Sequence, residues 1–555
     1  MNKEHTYIKI FSWRLSITGA LAGALFFALS LLPSMLPRGY LFQGLASGIA
    51  FITGYALGVL VVWLWHYLRI PLFKSTARKI VISVVGALTA VTVAVALWQF
   101  VGWQNSVRAV FGEESINASF ILPMMLIALF FAALLLIIGR SIRKLYQFVS
   151  AKLGHLLPRR IAVVLGVVLV VVLLQFIYNG VLSKAFFGAA NSIFSTKDTS
   201  IDPDLVVPNS PLKSGSPQSL AAWDTLGRQG RKFVATGPSA DKITEVTGQS
   251  AMEPIRVYAG LKSAETIEDR ANLVLQELLR TGAFNRQSLL VTTTTGTGWL
   301  DPQAVDTFEL VNSGDTAIVG VQYSYLPSWI SLLADQQTAK DVSRAVFNKI
   351  YDYWATLPET ERPKFYVYGL SLGSYGMETV LNSVELVNQP IDGALLAGPP
   401  FVNEMHKELE RKRDVGSPAW LPIINNGQTV RFTAAENELN KPTGVWGNTK
   451  IVYMQHATDP MVWFSKDLLL SEPDWLKEGQ RGPGITADFA WVPLVTFWQI
   501  AADMPMAGNV APGYGHNYAA SSNVDAWAAL TQPTGWSEEK ANTLKHYVQN
   551  AYITD

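Results

Sequence analysis

Residues 364–373 read KFYVYGLSLG, and this stretch decides the fold of the C-terminal half of the chain. A β-rich run leads into a sharp turn between Gly369 and Gly373, and a helix-forming segment follows. In this strand–turn–helix context the two glycines relieve crowding, and the turn presents the serine that lies between them. Ser371 is therefore the candidate nucleophile, and the N–H of Leu372 is a candidate oxyanion donor. The alternative is a glycine-rich turn with an incidental serine.

The sequence after about residue 255 has the pattern of a mostly parallel sheet. Short β-rich runs alternate with helix-like segments, which is typical of a sheet covered by helices on both faces. The strand candidates are IRVYAGL, SLLVTTTTG, TAIVGVQYSY, KFYVYG, GALLAG and KIVYMQ. We expect residues 255–555 to form one α/β domain.

A serine hydroxyl needs a base, and four histidines lie in the α/β region. His516 is preferred because it lies on a glycine-rich loop near the C-terminus, which gives the chain order nucleophile, acid, base. His456 adjoins the candidate acid, and His546 lies in the last predicted helix. His406 lies in the charged segment EMHKELERKRD, where we expect it to be solvated. The alternative role for His516 is a loop histidine with local hydrogen bonds only.

The candidate acid is Asp459 in the segment HATDP, which directly follows the strand candidate KIVYMQ. Catalytic side chains of open parallel sheets collect at the carboxyl ends of the strands. Pro460 ends the strand and fixes the turn. Three rivals follow no clear strand: Asp467, Asp474 and Asp503. The alternative role for Asp459 is an Asx-type turn cap.

A second oxyanion donor is expected on the loop that follows an early strand. The segment TGTGW at residues 295–299 has this position, and the candidates are the amides of Gly296 and Thr297. The segment lacks the GK[ST] ending of a phosphate-binding loop. The chain also has no HExxH motif, no EF-hand loop and no clustered His and Asp residues. We therefore expect neither a cofactor nor a metal.

Five apolar stretches before residue 183 are long enough to cross a membrane. A helix needs about 20 residues to span a hydrocarbon core of about 30 Å. The stretches are residues 15–36, 45–68, 80–101, 121–138 and 161–182. None contains an acidic residue, which argues against an ion pathway and favours an anchor. We expect a membrane domain of about five helical spans over 1–183, a linker and docking segment over 184–254, and the α/β domain over 255–555.

The distribution of cations predicts the orientation in the membrane. Most of the lysines and arginines before residue 183 lie in the connections after the second and fourth spans: Arg69, Lys74, Arg78, Lys79, Arg140, Arg143, Lys144, Lys152, Arg159 and Arg160. The intervening connections hold Arg38 in one case and Arg108 with two glutamates in the other. The N-terminus is therefore expected in the cytoplasm. Five crossings then place the residues after about 182 outside the cytoplasm.

Composition excludes several classes of protein. Lys plus Arg number 44 and Asp plus Glu number 43, so the chain lacks the cationic excess that nucleic-acid binding requires. Zero cysteines exclude a disulfide framework and a thiol nucleophile. Charged residues make up 16%, against about 25% in an average soluble protein, as expected for a membrane protein.

Eight segments together resemble the bacterial membrane-anchored hydrolases called alpha/beta-hydrolase family nine. They are AWDTLGRQGRKFV (222–234), RTGAFNR (280–286), TGTGWLDP (295–302), QYSYLPSW (322–329), GLSLGS (369–374), DGALLAGPPF (392–401), HATDP (456–460) and GYGHNY (513–518). The resemblance implies an N-terminal multi-span domain and a C-terminal serine-hydrolase domain of the α/β-hydrolase fold, located in the plasma membrane. The elbow departs from the family pattern at Leu370, where the family has an acidic residue.

These observations predict a serine hydrolase with the triad Ser371, Asp459 and His516. The expected substrate is a carboxylic ester in a lipid or an acylated envelope component, and the expected partner is the bilayer. One alternative is acyl transfer through the same acyl-enzyme, and another is a non-catalytic receptor or scaffold. Two aromatic clusters fit either an acyl pocket or the core: Tyr323, Tyr325 and Trp329, and Trp491, Phe497 and Trp498.

Overall fold

The computed structural model describes residues 15–71, 75–382, 386 and 389–552. The chain divides into two compact units. The membrane unit consists of the residues up to Phe187 together with Lys466–Pro473 and Thr486–Met506. The α/β unit consists of Gly188–Ser465, Asp474–Ile485 and the residues from Ala507 onwards.

The helices and strands are numbered in chain order among the described residues. The helices are α1 Ile17–Ser30, α2 Tyr40–Tyr67, α3 Ser75–Val110, α4 Ile121–Leu153, α5 Arg159–Phe176, α6 Ser183–Thr199, α7 Gly227–Thr236, α8 Ala240–Thr247, α9 Ile267–Thr281, α10 Pro302–Val311, α11 Ser328–Ala334, α12 Gln336–Thr356, α13 Leu372–Leu381, α14 Glu404–Arg411, α15 Pro460–Trp463, α16 Val495–Asp503, α17 Ala520–Thr531 and α18 Glu538–Ala551. The strands are β1 Ile255–Ala259, β2 Ser288–Thr293, β3 Thr316–Val321, β4 Lys364–Leu370, β5 Gly393–Ala397, β6 Val430–Thr433 and β7 Lys450–Met454.

The N-terminal region is helical, and four helices in its described part are long and apolar enough to cross a membrane. They are Tyr40–Tyr67, Thr76–Val110, Ala118–Leu153 and Arg159–Thr199, the last of which includes a π-helical turn between α5 and α6. The stretch predicted as the first span, 15–36, differs, because only Ile17–Ser30 is helical. Pro33 and Pro37 lie just beyond its end and cannot continue it. A helix of 14 residues is about 21 Å long, which is shorter than the hydrocarbon core.

Helices α1 and α2 pack closely through small residues. A Cβ added to Gly54 of α2 would lie 2.6 Å from the carbonyl oxygen of Ala22 in α1. Only glycine therefore admits this approach of the two backbones, as is common where helices pack in membranes. At the end of the pair, the hydroxyl of Ser30 donates to the hydroxyl of Ser47 at 2.8 Å.

The membrane unit also contains a segment that is distant in sequence. Helix α16 packs against α1 and α2, although more than 400 residues separate it from them along the chain. Its residue Asp503 forms an ion pair with Arg38, which lies between α1 and α2, at 2.6 Å. The second predicted aromatic cluster, Trp491, Phe497 and Trp498, belongs to this part of the membrane unit.

The α/β unit is built on a parallel sheet, which confirms the predicted fold class. Among the described residues the sheet has seven strands in the order β1-β3-β2-β4-β5-β7-β6, and every neighbouring pair is parallel. Strand β4 lies at the centre between β2 and β5. Its last residues, Gly369 and Leu370, are in register with Thr293 of β2 and Ala397 of β5. The carboxyl ends of the central strands therefore meet at the turn that carries Ser371.

Helices cover both faces of the sheet. On one face, α9 and α12 contribute Val274 and Phe347 to a core that they share with the strands. On the other face, α10 and α17 contribute Phe308 and Trp527. The C-terminal helix completes this second face, because it packs against α8, α10 and α17.

Residues 184–254, predicted as a linker and docking segment, carry helices as well as loops. Helix α7 contains the segment GRQGRKFV and packs against β1. Its Arg231 is buried and donates to the carbonyl oxygens of Asp198 at 3.0 Å and Ser200 at 2.7 Å. This guanidinium therefore satisfies backbone groups of the chain that precedes the helix.

Candidate active site

Ser371 lies at the turn between the central strand β4 and helix α13. Its backbone has φ 57° and ψ −126°, a conformation that non-glycine residues rarely adopt. The N–H of Ser371 donates to the carbonyl oxygen of Ala397 at 3.0 Å, so the neighbouring strand β5 holds the turn. Strained backbone of this kind concentrates at functional sites.

The two glycines of the motif allow the close packing of this turn. A Cβ on Gly373 would overlap the carbonyl oxygen of Thr293 at the end of β2. A Cβ on Gly369 would overlap the backbone of Gly373 itself. A side chain at either position is therefore excluded by backbone atoms, which cannot move aside as a flexible side chain can. Because both residues are glycines, the start of α13 can approach the end of β2.

Asp459 and His516 are brought together although they are 57 residues apart in the chain. Asp459 follows β7 and caps α15, and its Oδ1 accepts from the N–H of Met461 at 2.9 Å. The Nδ1 of His516 lies 2.6 Å from Oδ2 of the same carboxylate. The Nε2 of His516 is buried and has no hydrogen-bond partner among the described residues. A histidine that gives its Nδ1 proton to a carboxylate leaves Nε2 free to accept a proton.

The carboxyl group of Asp459 stays ionised in this setting. Burial raises its pKa, but the charge of His516 and the hydrogen bonds from His516, Tyr518 and the Met461 amide together outweigh burial. The pKa of Asp459 therefore lies below its ordinary value. A charged acceptor is suited to hold the imidazole in one orientation and to stabilise an imidazolium.

Ser371 and His516 both lie at the carboxyl end of strand β5. Ala397, the last residue of β5, accepts from the N–H of Ser371. The next residue, Gly398, has φ 52° and lies against the imidazole, because an added Cβ would be 2.5 Å from the Cε1 of His516. The backbone at Ala397–Gly398 therefore contacts the serine on one side and the histidine on the other.

His456 supports the loop that carries His516. Its ring stacks on Tyr518 with centroids 4.3 Å apart, and its Nδ1 lies 2.9 Å from the carbonyl oxygen of Gly515. The hydroxyl of Thr458 accepts from the N–H of Gly515 at 2.9 Å. Burial lowers the pKa of His456 to about 4, so the ring is neutral near pH 7. Its contacts are those of a residue that holds the loop in place.

The expectation that His406 is solvated is wrong. The side chain is buried, and its Nε2 lies 2.5 Å from Oε1 of Gln455. Burial lowers the pKa of His406 to about 4. The charged residues around His406 suggest an exposed helix, and the burial of this one residue of the short helix α14 does not show in the sequence pattern. His546, in contrast, is exposed on α18 beside Asn550.

The predicted oxyanion donors lie at the ends of neighbouring strands. Leu372 is the first residue of α13 and follows β4. Gly296 and Thr297 lie on the loop after β2, the strand that pairs with β4. The N–H of Gly296 donates to the hydroxyl of Ser328 at 3.2 Å, and the carbonyl oxygen of Thr297 accepts from Gln322 at 3.2 Å.

Two further polar residues beside the histidine were not predicted from the sequence. The hydroxyl of Tyr518 donates to Oδ2 of Asp459 at 2.7 Å. Asp301 is buried at the start of α10, where it caps the helix and interacts electrostatically with His516. Burial raises the pKa of Asp301 to about 7. Tyr518 lies two residues after His516 in GYGHNY, so its position in that segment was the available signal.

Comparison with known proteins agrees with this architecture. A sequence model described as an alpha/beta-hydrolase family matches residues 255–544, which is more than half of the chain. A second model, described as the N-terminus of that family, matches residues 31–238. No curated protein and no solved structure matches the chain. The chain belongs to the alpha/beta-hydrolase family that these two sequence models describe.

Proposed function

We propose that the protein is a membrane-anchored serine hydrolase that cleaves carboxylic esters. The observation that carries the proposal is the pairing of His516 Nδ1 with the buried carboxylate of Asp459, while Nε2 has no partner among the described residues. This pairing lies at the end of β5, beside the strained turn that holds Ser371. A serine, a histidine and an ionised carboxylate in this arrangement are the parts of nucleophilic acyl transfer.

The reaction divides into acylation and deacylation. Nε2 of His516 takes the proton of the Ser371 hydroxyl as the oxygen attacks the ester carbon. The tetrahedral intermediate collapses, the same proton passes to the leaving alcohol, and an acyl-serine remains. Water, deprotonated by His516, then attacks the acyl-serine; the bond to the Ser371 oxygen breaks, that oxygen takes the proton from His516, and the acid is released. Backbone amides stabilise the oxyanion in both halves, and the candidates are Leu372 at the turn and Thr297 on the loop after β2, since the N–H of Gly296 donates to Ser328.

The membrane unit favours a lipid or an acylated envelope component as the substrate. Four helices that are long and apolar enough to cross a membrane keep the chain close to the esters of that membrane. If an alcohol instead of water attacks the acyl-serine, the same residues perform acyl transfer. A receptor or scaffold with this fold has no need of a carboxylate-paired histidine beside a strained serine.

We place the α/β unit on the extracytoplasmic side of a bacterial plasma membrane, with the N-terminus in the cytoplasm. Most cations of the membrane unit lie in the connections after α2 and α4, which indicates that these face the cytoplasm. The connection that contains Arg38 then faces outwards. Four membrane-capable helices lead from that connection to Thr199, and an even number of crossings returns the chain to the same side. The placement of the α/β unit therefore holds whether or not α1 crosses the membrane, whereas a cytoplasmic N-terminus requires that α1 crosses it.

Labelling with a fluorophosphonate probe tests the proposed function. The probe reacts with serines that a neighbouring base activates, so the wild-type protein should be labelled and Ser371→Ala should not. Ser250→Ala, which removes an exposed serine, is the matched control and should be labelled like the wild type. Labelling of Ser371→Ala, or an unlabelled wild-type protein, would contradict the proposal. Lipid profiles of envelopes that carry the wild type or Ser371→Ala then identify the ester that accumulates.

A further inference from the structure

The loop of residues 295–299 begins beside the turn that carries Ser371. Thr293, the last residue of β2, is in register with Gly369 of β4. A Cβ added to Gly373 would overlap the carbonyl oxygen of Thr293, so the start of α13 touches the chain two residues before the loop. All of these residues belong to the α/β unit. The position of the loop beside the serine is therefore set within that unit.

The amides of this loop are used unequally. The N–H groups of Thr295 and Gly298 donate to carbonyl oxygens of the loop itself, at 3.0 Å and 2.9 Å. The N–H of Gly296 donates to the hydroxyl of Ser328 at 3.2 Å. The N–H of Thr297 has no such partner among the described residues. A backbone amide without a partner in the protein can bind a negatively charged oxygen of a substrate.

Tyr258 holds the backbone that follows this amide. It belongs to β1 and is buried, and its hydroxyl donates to the carbonyl oxygen of Gly298 at 2.6 Å. Burial raises the pKa of Tyr258 well above its ordinary value, so the hydroxyl remains a donor. Gly298 has φ 85°, and an added Cβ would lie 2.5 Å from the same hydroxyl oxygen. Only glycine admits this approach, so the loop packs closely on the tyrosine.

Gln322 holds the neighbouring carbonyl group. Its Nε2 donates to the carbonyl oxygen of Thr297 at 3.2 Å. The same nitrogen donates to the carbonyl oxygen of Ser324 at 3.1 Å and to Oδ1 of Asp198 at 3.2 Å. Its Oε1 accepts from the N–H of Leu261 at 3.2 Å. The side chain is buried, and both ends of its amide group are bonded, so it presents a fixed donor to the loop.

We propose that Gln322 and Tyr258 are positioning residues for the second oxyanion donor, the amide of Thr297. They fix the carbonyl oxygens of two successive residues, Thr297 and Gly298, and with them the orientation of the backbone that carries the free amide. Neither side chain has to touch the substrate in this role. The inference rests on the proposed function, since an oxyanion forms only if Ser371 attacks an acyl carbon.

Steady-state kinetics of the full-length protein test the proposal. Tyr258→Phe removes only the hydroxyl, and Gln322→Met removes the amide group from a side chain of similar length. Each should lower kcat for a short p-nitrophenyl ester by about 10-fold to 100-fold with little change in KM, because an oxyanion donor acts on charge that develops in the transition state. Loss of a whole donor costs about 10²-fold to 10³-fold, and a displaced donor costs less. The double variant should lose no more than about 10³-fold, because both residues act through one amide.

The pH profile separates this role from an effect on the base. Neither variant changes His516 or Asp459, so the midpoint of the acid limb of kcat/KM should equal that of the wild type. Tyr351→Phe is the matched control. The hydroxyl of Tyr351 also donates to a backbone carbonyl oxygen at 2.6 Å, that of Gln389, which precedes β5 and so lies away from its carboxyl end. This control should lose thermal stability and keep the wild-type kcat.

The fluorophosphonate probe gives the number of active sites in each preparation. Since kcat is expressed per site labelled at completion, a misfolded fraction does not lower it. A wild-type kcat in Tyr258→Phe or in Gln322→Met would overturn the inference alone. The same follows from a shifted pH midpoint, which would mean an effect on His516, and from an equal loss of kcat in Tyr351→Phe. A wild-type protein that is not labelled would overturn the proposed function and this inference with it.

Discussion

The hydroxyl of Tyr518 donates to the same carboxylate oxygen of Asp459 that accepts from His516. The tyrosine is buried, and burial raises its pKa well above its ordinary value, so it remains a donor at every physiological pH. Oδ2 of Asp459 therefore has two side-chain donors, while Oδ1 accepts from a backbone amide. The acid is held rigidly on both oxygens.

Tyr518→Phe should lower kcat by about tenfold, since a hydrogen bond to a charged group contributes about 1.5–3 kcal/mol and 1.4 kcal/mol corresponds to tenfold. Tyr552→Phe is the control, because its hydroxyl donates to Asp306 at 2.6 Å and to no residue of the triad. We expect both variants to lose thermal stability and only Tyr518→Phe to lose activity. Equal values of kcat in the two variants would show that the hydroxyl of Tyr518 does not contribute to catalysis.

His516→Ala should reduce kcat by about 10³-fold to 10⁶-fold, because the serine remains protonated without its base. Asp459→Asn should cost less, since the imidazole stays but is poorly oriented. His546→Ala, on the exposed side of α18, serves as the control and should keep full activity. Hydrolysis of a p-nitrophenyl ester measures all three. Retention of activity in His516→Ala would require a different base.

Gly373→Ala should abolish activity while Ser371 is still present. The added methyl group overlaps the carbonyl oxygen of Thr293, so the turn and β2 must separate. Gly508→Ala is the control, because an added Cβ there has no neighbour within 4 Å. Probe labelling and the melting temperature are measured for both variants. Wild-type labelling of Gly373→Ala would show that the turn tolerates a side chain.

The buried His406 should make the protein less stable in acid. Its pKa of about 4 in the folded state lies below the unfolded value of about 6.5, so its contribution is complete above pH 6.5 and is lost as the pH falls towards 4. The stability difference between the wild type and His406→Gln should therefore shrink by about 3 kcal/mol over that range. The comparison with His406→Gln is needed because Asp301 and other buried groups also change protonation in this pH range. Denaturant unfolding of both proteins at pH 7 and pH 4.5 gives this difference in unfolding free energy. An equal difference at the two pH values would contradict the prediction.

Single cysteines can report the orientation, because the chain has none of its own. Val415→Cys, at a fully exposed position of the α/β unit, should react with an impermeant maleimide in intact spheroplasts. His155→Cys, in the cation-rich connection after α4, should react only after permeabilisation. The reverse pattern would place the α/β unit in the cytoplasm.

Local patterns in the sequence were sufficient for the predictions that depend on neighbouring residues. The turn at Ser371 and the strands beside it follow from alternation and glycine spacing, and the sheet is parallel as expected. The first span was predicted too long, because hydropathy alone does not register that Pro33 and Pro37 end a helix. Strand β6 was not predicted, since its four residues give too short a signal.

Contacts between distant parts of the chain could not be predicted. Asp503 was considered only as a rival acid, and Arg38 only as a weak topological signal. Nothing in a single sequence indicates that two charges 465 residues apart form one buried pair. The same holds for His406, whose burial depends on Gln455 and on strands that join the sheet later in the chain.

The last two helices have a consequence for the synthesis of the protein. Trp527 of α17 donates through Nε1 to the carbonyl oxygen of Ala304, and Tyr552, just beyond α18, donates to Asp306. Both acceptors lie on α10, 223 and 246 residues earlier in the chain. One face of the sheet stays partly uncovered until these residues have left the ribosome, and apolar surface exposed at that stage promotes aggregation. A nascent chain that stalls before α17 and α18 have emerged therefore carries the site residues on a sheet that is still partly open to solvent.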